Sequence, residues 1–381
     1  MESRPGGAAG MAANFPEQFL VFLRENNIDP GVYDACETLP RYLRIVQHGE
    51  RSSEEVLALV EQVRRDARCE VAEVAGVPGF LRVADRAVRL SQLQAHASGD
   101  VVGMDVSSGV AVLALGVEPG HNVLDLCCAP GAKLLCLAEG VAPAGSVTGV
   151  DVSPARIATC RSLVKRHAGS ARMLVRLYAE DGAVFSARAP RDRWWDPQAL
   201  RDSGRGRQQQ RGGPWCGSRL LGTEYAASGG ELYDRVLVDA ECTHDGSLAH
   251  IEKYRDLGWH LLATQLNRGP DVPALQLRLL ENGWRLLRTG GVLVYSTCSL
   301  AAAQNECVLA AFLARHPADE ARLEPVFGEH CRRPPIPVLP AQAPPAPGDV
   351  RGRLQHAVRL DPRVSGTSGL FIARIRKLRG V

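Results

Sequence analysis

The chain has 381 residues and a mass of 41.1 kDa, long enough for a catalytic domain and one or two smaller modules. Its formal net charge of +3 is too small to establish a polyanionic partner, and no stretch is apolar enough for a signal peptide or a membrane span. The 11 cysteines include no Cys-x-x-Cys pair, which argues against a zinc site or a disulfide framework. We therefore expect a soluble intracellular protein without a metal, in the nucleus, cytoplasm or mitochondrion.

The first part of the sequence predicts a helical lead followed by a small α/β module. In residues 15–27 apolar side chains recur at helical spacing, and Pro30 with Gly31 ends that segment. Further along, the pattern predicts strands over 41–46 and 80–83 and helices over 52–63 and 110–115. We assign the lead to 1–35 and the module with its connector to 36–115. The arginines on its strands either contact nucleic acid or form a solvated face.

From residue 116 onward, strands and helices alternate. Strands are predicted over 122–126, 146–151, 172–177, 233–239 and 292–296, with a last one over 370–375. Helices are predicted over 131–139, 154–166, 275–287 and 304–315. This alternation predicts an α/β fold with a mostly parallel, doubly wound, Rossmann-like sheet that spans residues 116–381.

Two stretches interrupt the alternation. Residues 186–230 are rich in Arg, Gly and Gln, and eight arginines there outnumber three aspartates. These arginines are Arg188, Arg191, Arg193, Arg201, Arg205, Arg207, Arg211 and Arg219. We expect this Arg/Gly-rich insertion to be disordered or mobile, because its composition does not favour a packed core. Residues 331–353 are rich in proline and are expected to be extended.

The loop after the first strand of this sheet has the composition of a ligand-binding loop. Small residues there let the backbone approach a ligand closely, namely Cys127, Cys128, Ala129, Pro130, Gly131 and Ala132. Asp151 ends the second strand, where a carboxylate either accepts hydrogen bonds from a ribose diol or caps the helix that begins at Pro154. The sequence lacks G-x-G-x-x-G and G-K-[ST] at the loop, so a dinucleotide or ATP is disfavoured and S-adenosylmethionine is the expected cofactor.

Two cysteines follow predicted strands. Cys242 comes just after Asp239, and Cys298 comes just after Thr297. Because the carboxyl ends of parallel strands meet at one edge of a sheet, both thiols are expected in one cleft, which suggests covalent catalysis. We interpret the remaining cysteines as small packing residues: Cys36, Cys69, Cys127, Cys128, Cys136, Cys160, Cys216, Cys307 and Cys331.

Together these motifs resemble the Sun/Fmu (RsmB-like) family of RNA 5-methylcytosine methyltransferases. Residues 125–133 are similar to the Cys-Ala-Ala-Pro-Gly-Gly-Lys loop of that family, and residues 239–242 are similar to its Asp-Ala-Pro-Cys motif. Residues 295–300 match its second-cysteine motif. The motifs occur in the same order, and the likeness extends from about residue 41 to residue 377, including Gln304, Asn305 and Glu306.

The resemblance implies methylation of cytosine C5 in structured RNA, tRNA or rRNA. Cytosine C5 is too electron-poor to attack a methyl sulfonium directly, so a thiolate must first add to C6. The resemblance implies that Cys298 makes this bond and that Cys242 assists the later release of the enzyme. Asp239 would contact the N3/N4 edge of the base, and Lys133 would orient either Asp239 or the methionine carboxylate of the cofactor.

The resemblance also implies a cofactor site. It consists of the loop 127–132 together with Lys133, Asp151, Arg156, Asp181 and Asp239, with Asp151 at the ribose hydroxyls and Asp181 at the adenine amine. The N-terminal module would be RRM-like, and with the Arg/Gly-rich insertion it would contact phosphates, so RNA binding should be sensitive to salt. The protein would act as a monomer or with an RNA-associated partner.

Several positions depart from the family pattern. Glu241 stands where the family has proline, and Ala132 replaces a glycine. A carboxylate beside Cys242 would raise the pKa of that thiol, or would itself carry a proton. We interpret His244 and His250 as solvated loop residues. Two alternatives remain: a catalytically weak RNA-binding or ribosome-assembly factor with the same fold, and a small-molecule methyltransferase, which would not need both thiols.

Overall fold

The computed structural model describes residues 14–47, 51–190, 214–220, 231–268, 271–328, 337, 339–340 and 352–379. Most of the Arg/Gly-rich insertion and most of the proline-rich stretch therefore lie outside the described residues, and so do the predictions of disorder and of extended chain made for them. Within the described ranges, no helix is long and apolar enough to cross a membrane.

The N-terminal module is a four-stranded antiparallel sheet with two helices. Its elements in chain order are β1 (Arg41–Ile45), α2 (Ser53–Ala67), β2 (Val71–Glu73), β3 (Phe80–Val83), α3 (Gln94–Ser98) and β4 (Val101–Gly103). The strand order is β2-β3-β1-β4, and every adjacent pair is antiparallel. This βαββαβ arrangement confirms the prediction of an RRM-like module. A capping box between Ser52 and Glu55 fixes the start of α2.

The two faces of this small sheet have different partners. One face packs on α2, where Leu43 and Leu81 meet the buried side of the helix. The other face packs on the rest of the protein: Arg44 forms an ion pair with Glu139 at 2.7 Å, and both side chains are 7% exposed. In addition, the hydroxyl of Tyr42 donates to the carbonyl of Gly366 at 2.9 Å. Both interpretations of the strand arginines are therefore wrong for Arg44, because its charge is used to dock the module.

The large sheet contains the remaining strands. These are β5 (Asn122–Asp125), β6 (Ser146–Asp151), β7 (Val175–Ala179), β8 (Trp215–Cys216), β9 (Tyr233–Asp239), β10 (Leu287–Thr297), β11 (Ala321–Glu324), β12 (Leu339–Pro340), β13 (Val358–Leu360) and β14 (Leu370–Lys377). The order is β8-β7-β6-β5-β9-β10-β14-β13-β12, with β11 paired to the second half of β14. Strands β7, β6, β5, β9 and β10 are mutually parallel, whereas β14 is antiparallel to β10.

Helices cover both faces of the large sheet. They are α4 (Val106–Leu115), α5 (Ala132–Val141), α6 (Pro154–His167), α9 (Val272–Leu286) and α10 (Glu306–Arg315), with a short α11 (Pro362–Ser365) near the end. Helices α4, α5 and α6 share one core cluster and α9 and α10 the other. The predicted doubly wound sheet is confirmed. The chain turns back between β5 and β9, and the carboxyl ends of these two strands border the point where such sheets bind ligands.

The N-terminal lead is held by helices that the sequence patterns did not predict. Helix α1 (Glu17–Glu25) buries Phe19 and Leu23 against α7 (Leu248–Leu257) and α8 (His260–Asn267). These two helices were missed because their apolar residues pair with a segment more than 200 residues away in sequence. The domain boundary near residue 116 stays a prediction, although α4, which it assigned to the first module, packs on β10 and β14.

Two predictions at the β7 side of the large sheet differ from the structure. Strand β7 begins at Val175, because the preceding residues form a 3-10 segment, Gly169–Leu174. Part of the insertion is also ordered: Trp215 and Cys216 pair with Leu177 and Arg176 at the edge of the sheet. The prediction of a disordered insertion over its full length is therefore wrong for this short strand, in which Cys216 is buried.

Candidate active site

Two adjacent parallel strands place the two cysteines side by side. Asp239 is the last residue of β9, Thr297 is the last residue of β10, and these strands pair in register. The amide of Ala240 still donates to the carbonyl of Ser296 at 2.9 Å, so the strand ladder extends to the start of the first cysteine loop. As a result the sulfur atoms of Cys242 and Cys298 lie 3.3 Å apart. The predicted convergence of the thiols is therefore observed.

The two thiols have different environments. Cys242 is buried, and its hydrogen bond with Cys298, followed by burial, raises the pKa of its thiol well above the usual value. Cys298 is only partly buried, so it is the more accessible sulfur. The pKa of Cys242 is thus raised, as expected, but the carboxylate of Glu241 is not the cause. Glu241 instead pairs with Arg268 at 2.6 Å.

A histidine joins the pair of thiols. The Nδ1 atom of His244 lies 3.1 Å from the sulfur of Cys298 and 3.6 Å from that of Cys242. The ring also stacks on His250, with centroids 4.8 Å apart. The interpretation of His244 as a solvated loop residue is therefore wrong. The signal available in the sequence was a histidine two residues after a strand-end cysteine, a spacing that does not fix the direction of the side chain.

Asp239 and Lys133 form the polar part of the cleft. The Lys133 ammonium contacts Asp239 Oδ2 at 2.8 Å and donates to the hydroxyl of Ser108 at 2.9 Å. The hydroxyl of Ser296 donates to the other oxygen of Asp239 at 2.6 Å. Burial alone would lower the pKa of Lys133, but the charge of Asp239 and the hydrogen bond to it raise the pKa above its usual value. Lys133 is therefore protonated at neutral pH, and it contacts Asp239, one of the two partners that the sequence left open.

The carboxyl end of β5 provides a buried acid. Asp125 accepts a hydrogen bond from the amide of Cys127 at 3.3 Å, while its Oδ2 has no hydrogen-bond partner within the described part of the chain. Burial first, and then the charge of Asp239, raises the pKa of Asp125 to about 8. Burial therefore favours the neutral form of this side chain. It was not among the predicted site residues, although it opens the loop motif.

The next strand places Asp151 at the same edge. Asp151 is buried, accepts from the amide of Ser153 at 3.0 Å and pairs with Arg156 at 3.1 Å. Arg156 also donates to the carbonyl of Ala129 at 2.8 Å, which links it to the loop after β5. The N-cap of α6 is Ser153, whose side chain accepts a hydrogen bond from the backbone amide of Arg156. The alternative role of Asp151 as the cap of this helix is therefore not observed.

The loop 127–132 and Asp181 complete the predicted cofactor set. Gly131 has a φ of 111°, and an added Cβ would come within 3.4 Å of Leu163 and Cys160, so this position requires glycine. Cys128 is buried, with its sulfur 4.0 Å from that of Cys160, as expected of a packing residue. Asp181, just after β7, is exposed and accepts from the amide of Ala183 at 2.9 Å. Ala129, Pro130 and Ala132 lie in this loop or at the start of α5.

The Gln-Asn-Glu motif holds both cysteine loops. Gln304 accepts from the amide of Thr243 at 3.1 Å and donates to its hydroxyl at 2.8 Å. Asn305 donates to the carbonyl of Ser299 at 2.8 Å and thereby holds the loop after Cys298. Glu306 is fully buried and forms an ion pair with Arg359, whose guanidinium also donates to the carbonyl of Leu300 at 2.7 Å. Three consecutive residues therefore fix the loops on either side of the thiols.

The strand order of the large sheet, with its antiparallel β14 and acids at the carboxyl ends of β5 and β6, defines a Rossmann-like methyltransferase fold. Residues 221–376 match the family described as 16S rRNA methyltransferase RsmB/F. A ribosomal RNA small subunit methyltransferase B from Xanthomonas campestris is 34% identical over 231 residues, 61% of this chain and 42% of the relative. Over these residues the chain is therefore similar to the Sun/Fmu (RsmB-like) methyltransferases.

A further relative and two solved structures are also similar to this chain. A 5-cytosine rRNA methyltransferase NSUN4 from Xenopus laevis is 35% identical over 206 residues, 54% of this chain and 40% of the relative. Thus the chain spans less than half the length of these two curated relatives. A methyltransferase homolog from Pyrococcus horikoshii has the same fold, with a TM-score of 0.60, 23% identity and coverage of 96% of this chain and 100% of its own. NSun6 from that organism has a TM-score of 0.62, 16% identity and coverage of 96% and 99%.

Proposed function

We propose that the protein methylates cytosine C5 in structured RNA, with Cys298 as the covalent nucleophile and S-adenosylmethionine as the methyl donor. The observation that carries this proposal is the 3.3 Å separation of two thiols at adjacent strand ends. A small-molecule methyltransferase needs a cofactor site but not a second thiol. The two relatives are named as rRNA methyltransferases, so rRNA is the first substrate class to test and tRNA the second.

The cofactor site is the edge formed by β5, β6 and β7. When bound, S-adenosylmethionine supplies an electrophilic methyl group on a sulfonium. The residues fit such a molecule, because the left-handed turn at Gly131 brings backbone close and Asp125 carries an unpartnered buried oxygen. Asp151 would accept hydrogen bonds from the ribose hydroxyls, and Asp181 would reach the adenine amine. Arg156 would hold Asp151 and the loop in place through its two contacts.

The reaction uses the residues at the ends of β9 and β10. The thiolate of Cys298 adds to C6 of the cytosine, and the electron pair of the C5–C6 double bond then takes the methyl group at C5. Asp239, held by Lys133 and Ser296, contacts the N3/N4 edge and stabilises the charge that develops there. Transfer of the C5 proton to a base, a step that Cys242 assists, then restores the double bond and expels Cys298.

The proposed function is tested by trapping the covalent intermediate. Cys242→Ala is incubated with S-adenosylmethionine and total cellular RNA, and a denaturing gel then separates any protein–RNA adduct, whose RNA is sequenced. Wild type and the double variant Cys242→Ala/Cys298→Ala are the controls, and Cys242→Ala/Cys307→Ala is a matched control because Cys307 is an exposed thiol outside the cleft. We expect an adduct with Cys242→Ala that disappears only when Cys298 is replaced.

The same assay separates the alternatives. Native RNA binding without an adduct in any variant would favour an RNA-binding or assembly factor. Methyl transfer to a small molecule, with no affinity for RNA, would favour the third interpretation. A direct proton role for Glu241 stays a prediction. Its ion pair with Arg268 competes with that role, and full activity of Glu241→Ala with unchanged pH dependence would contradict it.

The partners and the compartment follow from the same proposal. RNA is the partner, and we expect a monomer or a complex with an RNA-associated protein. The absence of a metal from the reaction stays a prediction. No disulfide joins the cysteines that the structure describes, and the proposed chemistry needs reduced thiols, so we propose an intracellular location.

A further inference from the structure

The nucleophile of the proposed reaction has a nitrogen base beside it. The Nδ1 atom of His244 lies 3.1 Å from the sulfur of Cys298, within the reach of a hydrogen bond to sulfur. His244 belongs to the loop after β9 and Cys298 follows β10, so the contact joins two segments 54 residues apart. Because the reaction requires a thiolate at Cys298, a nearby group must take the proton of that thiol.

The loop holds His244 in an unusual backbone conformation. Its φ is 57°, in the left-handed region that few non-glycine residues adopt. The carbonyl of His244 accepts from the amide of Ser247 at 3.0 Å. On one side its ring stacks on His250, at an angle of 15°, and the hydroxyl of Ser247 contacts Nδ1 of His250 at 2.8 Å. This conformation directs the imidazole toward both sulfurs.

The charges around the ring favour its protonated form. The titratable groups that act on His244 or on the thiols beside it are Cys242, Cys298, Asp239, Asp245, His250 and Tyr254. Burial lowers the pKa of His244, but its contact with Cys242 and the negative charges of Asp245 and Asp239 outweigh burial and raise it. Burial and the proximity of His244 lower the pKa of His250 to about 4, so His250 is neutral and a poor proton acceptor.

We propose that His244 is the general base that takes the thiol proton of Cys298. The proton moves from Sγ to Nδ1 of an imidazole that carries its other proton on Nε2, and the electron pair of the S–H bond stays on sulfur and adds to cytosine C6. The imidazolium then lies beside the thiolate as its counter-charge. When the product is released, the expelled thiolate recovers its proton from Nδ1, which returns both groups to their starting state. This assignment rests on the proposed function, because it names the base for that nucleophile.

The test measures the thiol itself, without RNA or cofactor. The rate of alkylation of Cys298 by iodoacetamide is followed by peptide mass spectrometry as a function of pH, in a buffer that contains EDTA. The variants are His244→Gln and His244→Ala, and His260→Gln is the matched control because His260 is exposed on α8. At pH 7 we expect both His244 variants to be alkylated about tenfold more slowly, with the rate profile displaced to higher pH, and the control to match wild type.

Several outcomes would overturn the assignment. One is an unchanged alkylation profile in a His244→Gln protein whose thermal melt equals that of wild type. Another is adduct formation by the double variant His244→Gln/Cys242→Ala at the same rate as by Cys242→Ala alone in the trapping assay. The proposed function fails in a different way, because no RNA would then be trapped by any variant while the His244 effect on alkylation would still be measurable.

Discussion

The polar contacts of Lys133 give a single ammonium group two acceptors in a partly buried cleft. Asp239 and Ser108 both lie within 2.9 Å of its nitrogen, and Asp239 also accepts from Ser296. The lysine thus balances the charge of a carboxylate that would otherwise be partly buried and unpaired. It also fixes the direction of Asp239, which in the proposed mechanism contacts the N3/N4 edge of the cytosine.

Lys133→Met should impair catalysis more than it impairs folding. The substitution keeps the length of the side chain but removes the charge, so Asp239 keeps only Ser296 as a partner. We expect kcat/KM for methyl transfer to fall about 100-fold, equivalent to about 3 kcal/mol. Calorimetric titration of S-adenosylmethionine then separates the two roles left open by the sequence. Unchanged cofactor affinity would assign Lys133 to Asp239, whereas a matching loss would assign it to the cofactor carboxylate.

Asp125 should make the stability of the protein depend on pH. Its pKa is about 8 in the folded chain, against about 3.9 for an unfolded aspartate, so between these values the folded state binds more protons. Its contribution to stability is fully present below about pH 4 and is lost as the pH rises through about 8. We expect the free energy of unfolding in urea to fall from pH 5 to pH 8, and Asp125→Asn to reduce that decrease. Parallel curves for the two proteins would contradict this expectation.

At the scale of elements, the packing of one face of the N-terminal sheet limits the surface that this module can offer to RNA. The topology is RRM-like, but the face opposite its helices packs on α4 and α5 through Phe80 and Arg44. A Cβ added at Gly109 would lie 2.4 Å from the Phe80 ring, so the two elements are in close contact. The RNA contacts proposed for this module would therefore use its edges, its loops or the exposed side of α2.

Removing one partner of the ion pair between Arg44 and Glu139 should destabilise the protein, whereas replacing both partners together should be tolerated. Each single variant, Arg44→Met or Glu139→Leu, leaves one buried charge without its partner, at a cost of about 3–5 kcal/mol. The double variant removes both charges, and we expect it to recover most of the loss. Urea unfolding of all four proteins completes the cycle. A double variant that is no more stable than the single variants would contradict this expectation, because apolar packing would then not replace the ion pair.

Periodic elements were largely predictable, and those that depend on distant partners were not. Strand β9 has the predicted bounds, and Ser146–Asp151 does as well, because continuous apolar runs between turn residues are typical of buried parallel strands. Helix α7 was missed although Leu248 and Ile251 are fully buried. Its apolar face is complementary to the N-terminal lead, a pairing that no local pattern reveals.

At the scale of the whole molecule, the basic residues of the chain are unevenly distributed. Among the residues that the structure describes, the candidate cleft contains the ammonium group of Lys133, which is already paired with Asp239. Six arginines between 191 and 213 lie outside the described residues but within 23 residues of chain. Such a concentration of positive charge is typical of segments that bind phosphates without sequence preference.

Removing these charges should weaken RNA binding without affecting the fold. The variant replaces Arg191, Arg193, Arg201, Arg205, Arg207 and Arg211 by Gln. We expect lower affinity at about 100 mM salt and a shallower dependence of log affinity on log salt, by about 0.7–0.9 for each phosphate that the protein no longer neutralises. A control protein carries Gln at the exposed Arg24, Arg322 and Arg379. Equal slopes for the two variants would contradict a role for the insertion in RNA binding.

By itself the sequence determined the sheet, the strand-end positions of Asp151, Cys242 and Cys298, and the likeness to the Sun/Fmu family, because alternating apolar runs and strand-end motifs are local properties. Tertiary structure alone decided where His244 points and what Arg44 contacts. A loop side chain takes its direction from a backbone angle and from neighbours brought in by other strands, and the exposure of a sheet face depends on which domain packs against it. Both depend on long-range packing, which one sequence without a fold does not specify.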